Sequence, residues 1–376
     1  MVQFHTIPID KVNRETHDSI TISFDIPNEL KDRFQYLPGQ YLTLKVPTNE
    51  AEERRAYSMS SSPYTDRYIT VSVKRVKDGK VSNYLNDHVQ PGWELEVLEP
   101  MGKFTPHLHP DNEKHYVLFG GGSGITPLYS ILKSVLHEEP KSRVTLFYGN
   151  RDPKSIMFKK PLDDLAAQYA DRFQIVHTVD SPDAQWEGDT GRLDATKTRR
   201  YIQEHIGEAL YRAEYYICGP GPMMDQVIMG LKQFGIDEDR IYIERFTKPI
   251  PQTDKEMETE MAGATVGGDG SQTAPAKEQT AGDDGSRTAT IILNGEEKEV
   301  EVGLGEVILD AALEHDLDPP YACRMGICTT CKAKLVEGEA EMDENEGLSD
   351  DEMEDGYILT CQAHPTTQHV KVDYDG

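Results

Sequence analysis

The sequence predicts a multidomain chain: an antiparallel β-barrel, then an α/β domain on a parallel sheet, then a small α+β domain. Three observations carry this. Over residues 1–108, short runs alternate apolar and polar residues, as in Ser19-Ile-Thr-Ile-Ser-Phe24 and Tyr41-Leu-Thr-Leu-Lys-Val46, with Leu37-Pro-Gly-Gln40 as a turn between two of them. About six such strands with polar turns suit a small closed barrel. Over 112–247 the period changes to continuous apolar runs followed by glycine turns and helical stripes, the mark of strands buried on both faces. Over 288–376, Ala289-Thr-Ile-Ile-Leu293 and Glu299-Val-Glu-Val302 flank Asn294-Gly295, a strong hairpin signal, and a loop of closely spaced cysteines follows.

Composition narrows the function. The formal net charge is −27, and from Pro251 onward 30 acidic residues face 8 basic ones. An acidic surface repels phosphate backbones, which argues against nucleic acid and suits a basic partner surface. No apolar run approaches a membrane span, and Met1-Val-Gln-Phe-His5 lacks the basic-then-apolar layout of a signal peptide. Of five cysteines, four fall into one pattern, leaving Cys218 alone. The reading is therefore a reducing cytoplasm with no disulfide framework.

In the barrel, Arg54-Arg55-Ala56-Tyr57-Ser58 is the informative strand. A flavin needs an aromatic plane, a donor near its reactive N5 and a cation for its diphosphate. Tyr57, Ser58 and Arg55 supply all three in one strand. Then Asp78-Gly79-Lys80-Val81-Ser82 reads as a close turn opening a helix, whose free N–H groups form an anion site. Two phosphate-binding devices suit a dinucleotide flavin, FAD.

In the α/β domain, the strand His115-Tyr-Val-Leu-Phe119 runs into Gly120-Gly121-Gly122-Ser123-Gly124-Ile125-Thr126-Pro127. Thr126 is the expected N-cap and Pro127 the expected first helical residue. Strand, glycine turn and helix hold a diphosphate on backbone amides, although the spacing is not Gly-x-Gly-x-x-Gly. Tyr148-Gly-Asn-Arg151 and Tyr215-Tyr-Ile-Cys218-Gly219-Pro220 end two further strands, and Ile241-Tyr-Ile-Glu244-Arg-Phe246 ends the module. Ligands of open α/β sheets bind at such strand ends.

The C-terminal loop reads Cys323-Arg-Met-Gly-Ile-Cys328-Thr-Thr-Cys331, with Cys361 following. This is plant-type [2Fe-2S] spacing. The alternative, a four-cysteine zinc site, usually comes as two close pairs. Gly326 lets the loop curl, and backbone N–H groups aimed at the sulfurs offset the cluster's charge. Residues 248–287 are Gly, Ala, Thr, Ser, Glu and Asp without periodicity. They read as a flexible acidic linker spanning roughly 35 Å, across which the last domain swings.

Together these motifs resemble the ferredoxin–NADP reductase superfamily over about 3–247 and plant-type ferredoxins (the β-grasp fold) over about 288–376. The order flavin, nicotinamide, cluster is similar to reductase components of oxygenases, in particular those of the phenylacetyl-CoA epoxidase kind. The resemblance implies FAD binding by Arg55, Ala56, Tyr57, Ser58, Gly79, Lys80, Val81 and Ser82. It implies nucleotide diphosphate binding by Gly121, Gly122, Gly124, Thr126 and Pro127. It puts Cys218, Gly219 and Pro220 near the nicotinamide, and Glu244 and Phe246 at the flavin. Cys323, Cys328, Cys331 and Cys361 would hold the cluster. A nicotinamide gives two electrons as hydride and a cluster accepts one, so a flavin stands between them. The chain therefore reads as an NAD(P)H-dependent reductase feeding a partner oxygenase. Ser58, Cys218 and Glu244 are the residues at the chemistry. NADPH is expected over NADH because Arg151 follows the strand near the adenosine ribose, with Lys154 and Arg192 nearby, although Asp180 has the wrong sign. The alternative readings are a reductase of another oxygenase or of quinone or iron, and a redox sensor.

Overall fold

The computed structural model describes residues 4–48, 52–246, 287–303, 305–324, 326–345 and 347–376. All of the predicted linker except residue 287 lies outside them.

Strands β1 (Phe4–Thr16), β2 (Ser19–Phe24), β3 (Tyr41–Pro47), β4 (Glu52–Ser58), β5 (Ile69–Lys74) and β6 (Glu94–Leu98) form an antiparallel sheet in the order β4-β3-β6-β1-β2-β5. An isolated bridge between Met59 and Val71 joins the end of β4 to β5 and closes the sheet. Ile7, Ile22, Leu42, Leu44, Val71 and Val73 fill the interior. Helix α1 (Lys80–His88) follows β5.

The second sheet contains β7 (His115–Gly121), β8 (Arg143–Asn150), β9 (Phe173–Val179), β10 (Asp189–Thr190), β11 (Glu214–Cys218) and β12 (Ile241–Glu244), ordered β10-β9-β8-β7-β11-β12. Every pairing in it is parallel. Alternate residues of β7 serve opposite faces. Tyr116 and Leu118 pack with α2 (Ile125–Glu138) and α3 (Lys159–Gln168), whereas Val117 and Phe119 pack with α4 (Ala195–Tyr201) and α5 (Gly221–Lys232). The strand order reverses at β7, whose neighbours are β8 and β11. A crevice opens outside the strand ends at such a reversal.

The third sheet is mixed. Strands β13 (Arg287–Leu293), β14 (Glu296–Val302), β15 (Lys332–Glu337), β17 (Tyr357–Leu359) and β19 (His369–Asp373) lie in the order β14-β13-β19-β15-β17. Strands β16 (Ala340–Met342) and β18 (Ala363–Pro365) pair apart from it. Helix α6 (Ile308–Glu314) buries Ile308, Ala311 and Ala312 in its core, and α7 (Asp350–Glu354) precedes β17. The expected hairpin is present, with Asn294 at φ 57° and Gly295 at φ 77°, as a type I′ turn requires.

Two local expectations need correction. Thr126 does not cap α2. A 3₁₀ turn over Gly122–Gly124 starts the helix two residues earlier, at Ile125, and the Thr126 hydroxyl donates backwards to the Ser123 carbonyl at 3.0 Å. Pro127 is accordingly the third residue of α2. Before α1, Asp78 takes the left-handed conformation (φ 61°) while Gly79 has φ −75°. Gly79 is there for space instead: a Cβ would lie 2.8 Å from Ser82 Oγ and 2.9 Å from Val76 Cβ.

Candidate active site

The loop between β7 and α2 meets the end of β11. In register, Gly120, Cys218 and Glu244 stand side by side on β7, β11 and β12. The approach is close enough to demand glycine. A Cβ on Gly124 would lie 2.1 Å from the Cys218 carbonyl oxygen, and one on Gly121 would lie 2.5 Å from Met223 Sδ and 2.7 Å from Pro220 Cδ. Gly122 has φ 53° and open space beside it. A cavity of about 470 Å³ lies outside these strand ends, lined by Gly121, Gly122, Pro220 and Met223 on one side and Asn150, Arg151, Asp180 and Arg192 on the other. Lys74 reaches its wall from the barrel, its Nζ donating to the Ser155 carbonyl at 3.2 Å. Burial lowers the Lys74 pKa from its ordinary value. Arg151 donates through Nε to Asp152 at 3.1 Å, and Arg192 Nε stands 3.5 Å from Asp180 Oδ2. Cys218 is fully buried, and its thiol is pushed well up by burial and then by the charge of Glu244.

A second cavity, of about 500 Å³, joins the barrel, the end of the parallel sheet and the cysteine loop. Its walls include Arg55, Ala56, Ser58, Glu244, Phe246 and Cys323. The Ser58 hydroxyl is buried with no hydrogen-bond partner, which is uncommon for a buried polar atom. A flavin edge with a hydrogen-bonding nitrogen fits this donor. Burial pushes the Glu244 carboxyl up to about 8, with the nearby Cys323 adding to the effect. Glu244 is therefore mostly protonated at neutral pH and can hold or give a proton there. Tyr57 lies on the other face of β4, packed on the barrel core, and burial raises its phenol above its ordinary value. Gly79, Lys80, Val81 and Ser82 open α1 outside the lining of this cavity, and Ser82 Oγ accepts from the Val76 N–H at 3.0 Å.

The four predicted cysteine ligands come together in two pairs. Hydrogen bonding to Cys323 heads the causes that raise Cys328, and hydrogen bonding to Cys331 heads those that lower Cys361. Gly326 takes φ 74°, and a Cβ there would lie 2.6 Å from Glu344 Cβ. Thiolates in a tight loop with positive-φ backbone suit an iron–sulfur cluster.

Sequence reasoning missed the residues that seat this loop on the barrel. Arg54, 4 % exposed, donates to the Pro319 carbonyl at 3.1 Å and pairs with Asp318. Its guanidinium lies between the rings of Phe4 and Tyr321, 4.8 and 4.3 Å from their centroids. Tyr41, opposite Ser58 in the β3–β4 register, packs on Ala322 and Cys328. Lys103 pairs with Glu352.

Comparison with known proteins agrees with this layout. Residues 6–105 match the oxidoreductase FAD-binding domain, 118–228 the oxidoreductase NAD-binding domain, and 291–366 the 2Fe-2S iron-sulfur cluster binding domain. The chain thus belongs to the flavin and iron–sulfur oxidoreductases that act as reductase components of multicomponent oxygenases. It carries FAD and a [2Fe-2S] cluster and uses NAD(P)H. It is 36% identical over 375 residues to a component of the 1,2-phenylacetyl-CoA epoxidase of Escherichia coli (strain K12), covering 100% of this chain and 99% of that one. It is 35% identical to the ferredoxin reductase component of 3-ketosteroid-9-alpha-monooxygenase of Rhodococcus rhodochrous, covering 98% and 96%. It is 31% identical to the reductase component of the glycine betaine monooxygenase of Pseudomonas aeruginosa (strain UCBPP-PA14), covering 98% and 95%. Among solved structures, phthalate dioxygenase reductase shares the fold over 98% of both chains, at TM-score 0.54 and 20% identity. Among the described residues, no helix is long and apolar enough to cross a membrane.

Proposed function

We propose that this reductase takes its electrons from NADPH and delivers them to an oxygenase of the phenylacetyl-CoA epoxidase kind. The cavity shared by Ser58, Glu244 and Cys323 carries the reading, because it sets a flavin site directly against a cluster loop. The flavin, when bound, accepts a hydride and releases electrons singly. Ser58 would donate to its N5 edge, Arg55 would take its diphosphate together with Gly79 and the N–H groups of Lys80 to Ser82, and Glu244 would hold a proton beside it. Gly121 to Pro127 cradle the nucleotide diphosphate. Cys218, Gly219 and Pro220 form the seat of the nicotinamide, and Cys323, Cys328, Cys331 and Cys361 ligate the cluster. The modules run 1–108, 112–247 and 288–376, joined by a linker over 248–287, and the protein works in the cytoplasm. The full-length similarity to the epoxidase component supports the choice of partner.

The preference for NADPH rests on cations at the adenosine end of the crevice. Arg151, Arg192 and Lys74 line it, and of the two acids in the lining, Asp180 and Asp194, Arg192 stands close enough to Asp180 to offset its preference for a free 2′-hydroxyl. Comparing kcat/KM for both nucleotides in the native chain and in Arg151→Ala tests this. The variant should lose about 1.5–3 kcal/mol on NADPH and little on NADH. Equal losses, or a native preference for NADH, would overturn the assignment. Reduction of a purified phenylacetyl-CoA epoxidase oxygenase, set against other oxygenases and a small acceptor such as quinone, tests the partner. Faster transfer to the quinone would point to the small-acceptor reading.

A further inference from the structure

The contact between the barrel and the cysteine loop contains a closed chain of hydroxyls. Tyr41 is 3 % exposed, and Thr43 and Thr330 are each 1 % exposed. Tyr41 Oη lies 3.2 Å from Thr330 Oγ1, Thr43 Oγ1 lies 3.4 Å from it, and Cys328 Sγ lies 3.5 Å from it. Tyr41 Oη also accepts from the Thr329 N–H at 3.3 Å and lies 3.3 Å from Thr329 Oγ1, which can donate to its second lone pair and leave the Tyr41 proton for Thr330. A hydroxyl has one proton to give and two lone pairs. A cysteine bound to iron is a thiolate and has no proton to give. When Cys328 is a ligand, its contact with Thr330 is a hydrogen bond only with the Thr330 hydroxyl as donor. The Thr330 oxygen is then free to accept from both Tyr41 and Thr43, which fills its capacity.

From this geometry we infer that Tyr41 is a positioning residue that tunes the cluster from another domain. Donation by Tyr41 and Thr43 polarises the Thr330 hydroxyl and strengthens its bond to Cys328 sulfur. Hydrogen bonds to the sulfurs are one of the means by which a protein sets a cluster's potential. Withdrawing charge from the thiolate favours the reduced, more negative cluster, so contact with the barrel raises the potential. Both donors belong to the barrel and their acceptor to the cluster domain, so the effect exists only while the two domains touch. The cluster is then the better electron acceptor beside the flavin and the stronger reductant away from it.

The inference rests on Cys328 as a cluster ligand, which iron and sulfide content checks separately in every variant. The experiment is a redox titration of the full-length holoenzyme, following the reduced cluster by electron paramagnetic resonance. The samples are the native chain, Tyr41→Phe, Thr330→Val and the double variant. Phenylalanine keeps the ring that packs on Ala322 and Cys328, and amide exchange over 317–324 reports whether the domains stay in contact. Tyr41→Phe should lower the reduced fraction of the cluster at fixed potential about threefold. That is near 30 mV at 59 mV per tenfold for one electron. Tyr41 also lines the cavity assigned to the flavin, so the flavin potential is followed in the same titration and should move less than that of the cluster, and Tyr41→Phe should add nothing to the cluster shift in the Thr330→Val background. An unchanged cluster potential in Tyr41→Phe with native exchange protection overturns the inference. So does an equal shift with and without Thr330. Loss of iron would overturn the ligand assignment instead.

Discussion

Ser58 shows how much one atom can report. Its hydroxyl is buried beside Glu244 and Phe246 without a partner, so the fold carries a desolvation cost of about 1–3 kcal/mol that only a ligand offsets. Ser58→Ala removes both cost and donor. We expect FAD content to hold while flavin bleaching by NADPH in a stopped-flow instrument slows about tenfold, near 1.4 kcal/mol. A native rate in that variant would place N5 elsewhere. Ser58 was legible in the sequence because Arg55, Tyr57 and Ser58 are neighbours in one strand. Arg54, in the same run, was not. Its Pro319 partner is 265 residues away, and no local pattern distinguishes it from a solvated arginine. Tyr41 and Thr330, 289 residues apart, were hidden for the same reason, as was Lys74, which reaches the crevice from the barrel.

At the scale of elements, short-range chemistry was easiest to read. The Asn294-Gly295 hairpin and the apolar run of β7 each depend on residues a few positions apart. The start of α2 was misjudged because the approach of β11 decides it: the turn must bring Gly124 against the Cys218 carbonyl, and the 3₁₀ turn that does so begins the helix before Thr126. Gly124→Ala should push these strand ends apart, cost about 1–3 kcal/mol and weaken nucleotide binding. Calorimetric binding of NADP⁺ and thermal melting check it, and native values for both would show that the turn can relax. Strand β9 carries a different signal. His177 has both ring nitrogens buried without hydrogen bonds, against Tyr148 and Trp186. Burial, then Lys159, lowers its pKa to about 4 from 6.5, with Asp163 opposing. The unfolded chain therefore takes up this proton first as pH falls. Stability from this group is intact above about 6.5 and is lost progressively down to about 4. At pH 5 the loss is about 2 kcal/mol. In His177→Phe, amides of β8 and β9, corrected for intrinsic exchange, should lose less protection between pH 7 and 5 than in the native chain. Equal losses would mean that His177 does not control this window.

Across the whole molecule, two electrostatic contacts lie at different depths and should answer differently to salt. Arg54 is 4 % exposed and held between two rings, a carbonyl and Asp318. The acidic surplus after Pro251, 30 acidic residues against 8 basic, includes exposed strand residues such as Glu296, Glu297 and Glu299. At 0.1 M salt, screening cuts the reach of exposed charges to about 10 Å and acts much less on buried ones. The Arg54 contact holds the cysteine loop against the barrel, whereas an outside acceptor would meet the exposed field. Raising salt from 0.05 to 0.5 M should therefore slow reduction of the partner steeply and leave flavin-to-cluster transfer nearly unchanged. Arg54→Ala should do the reverse. It removes a charged hydrogen bond of about 1.5–3 kcal/mol and a ring contact of about 0.5–2 kcal/mol. It should slow cluster reduction at least tenfold without altering flavin reduction by NADPH. Stopped-flow traces at flavin and cluster wavelengths separate the two steps in one experiment. Native cluster reduction in Arg54→Ala would show that the domains meet without this arginine. A salt-independent rate of partner reduction would show that the C-terminal acids serve solubility and do not steer docking.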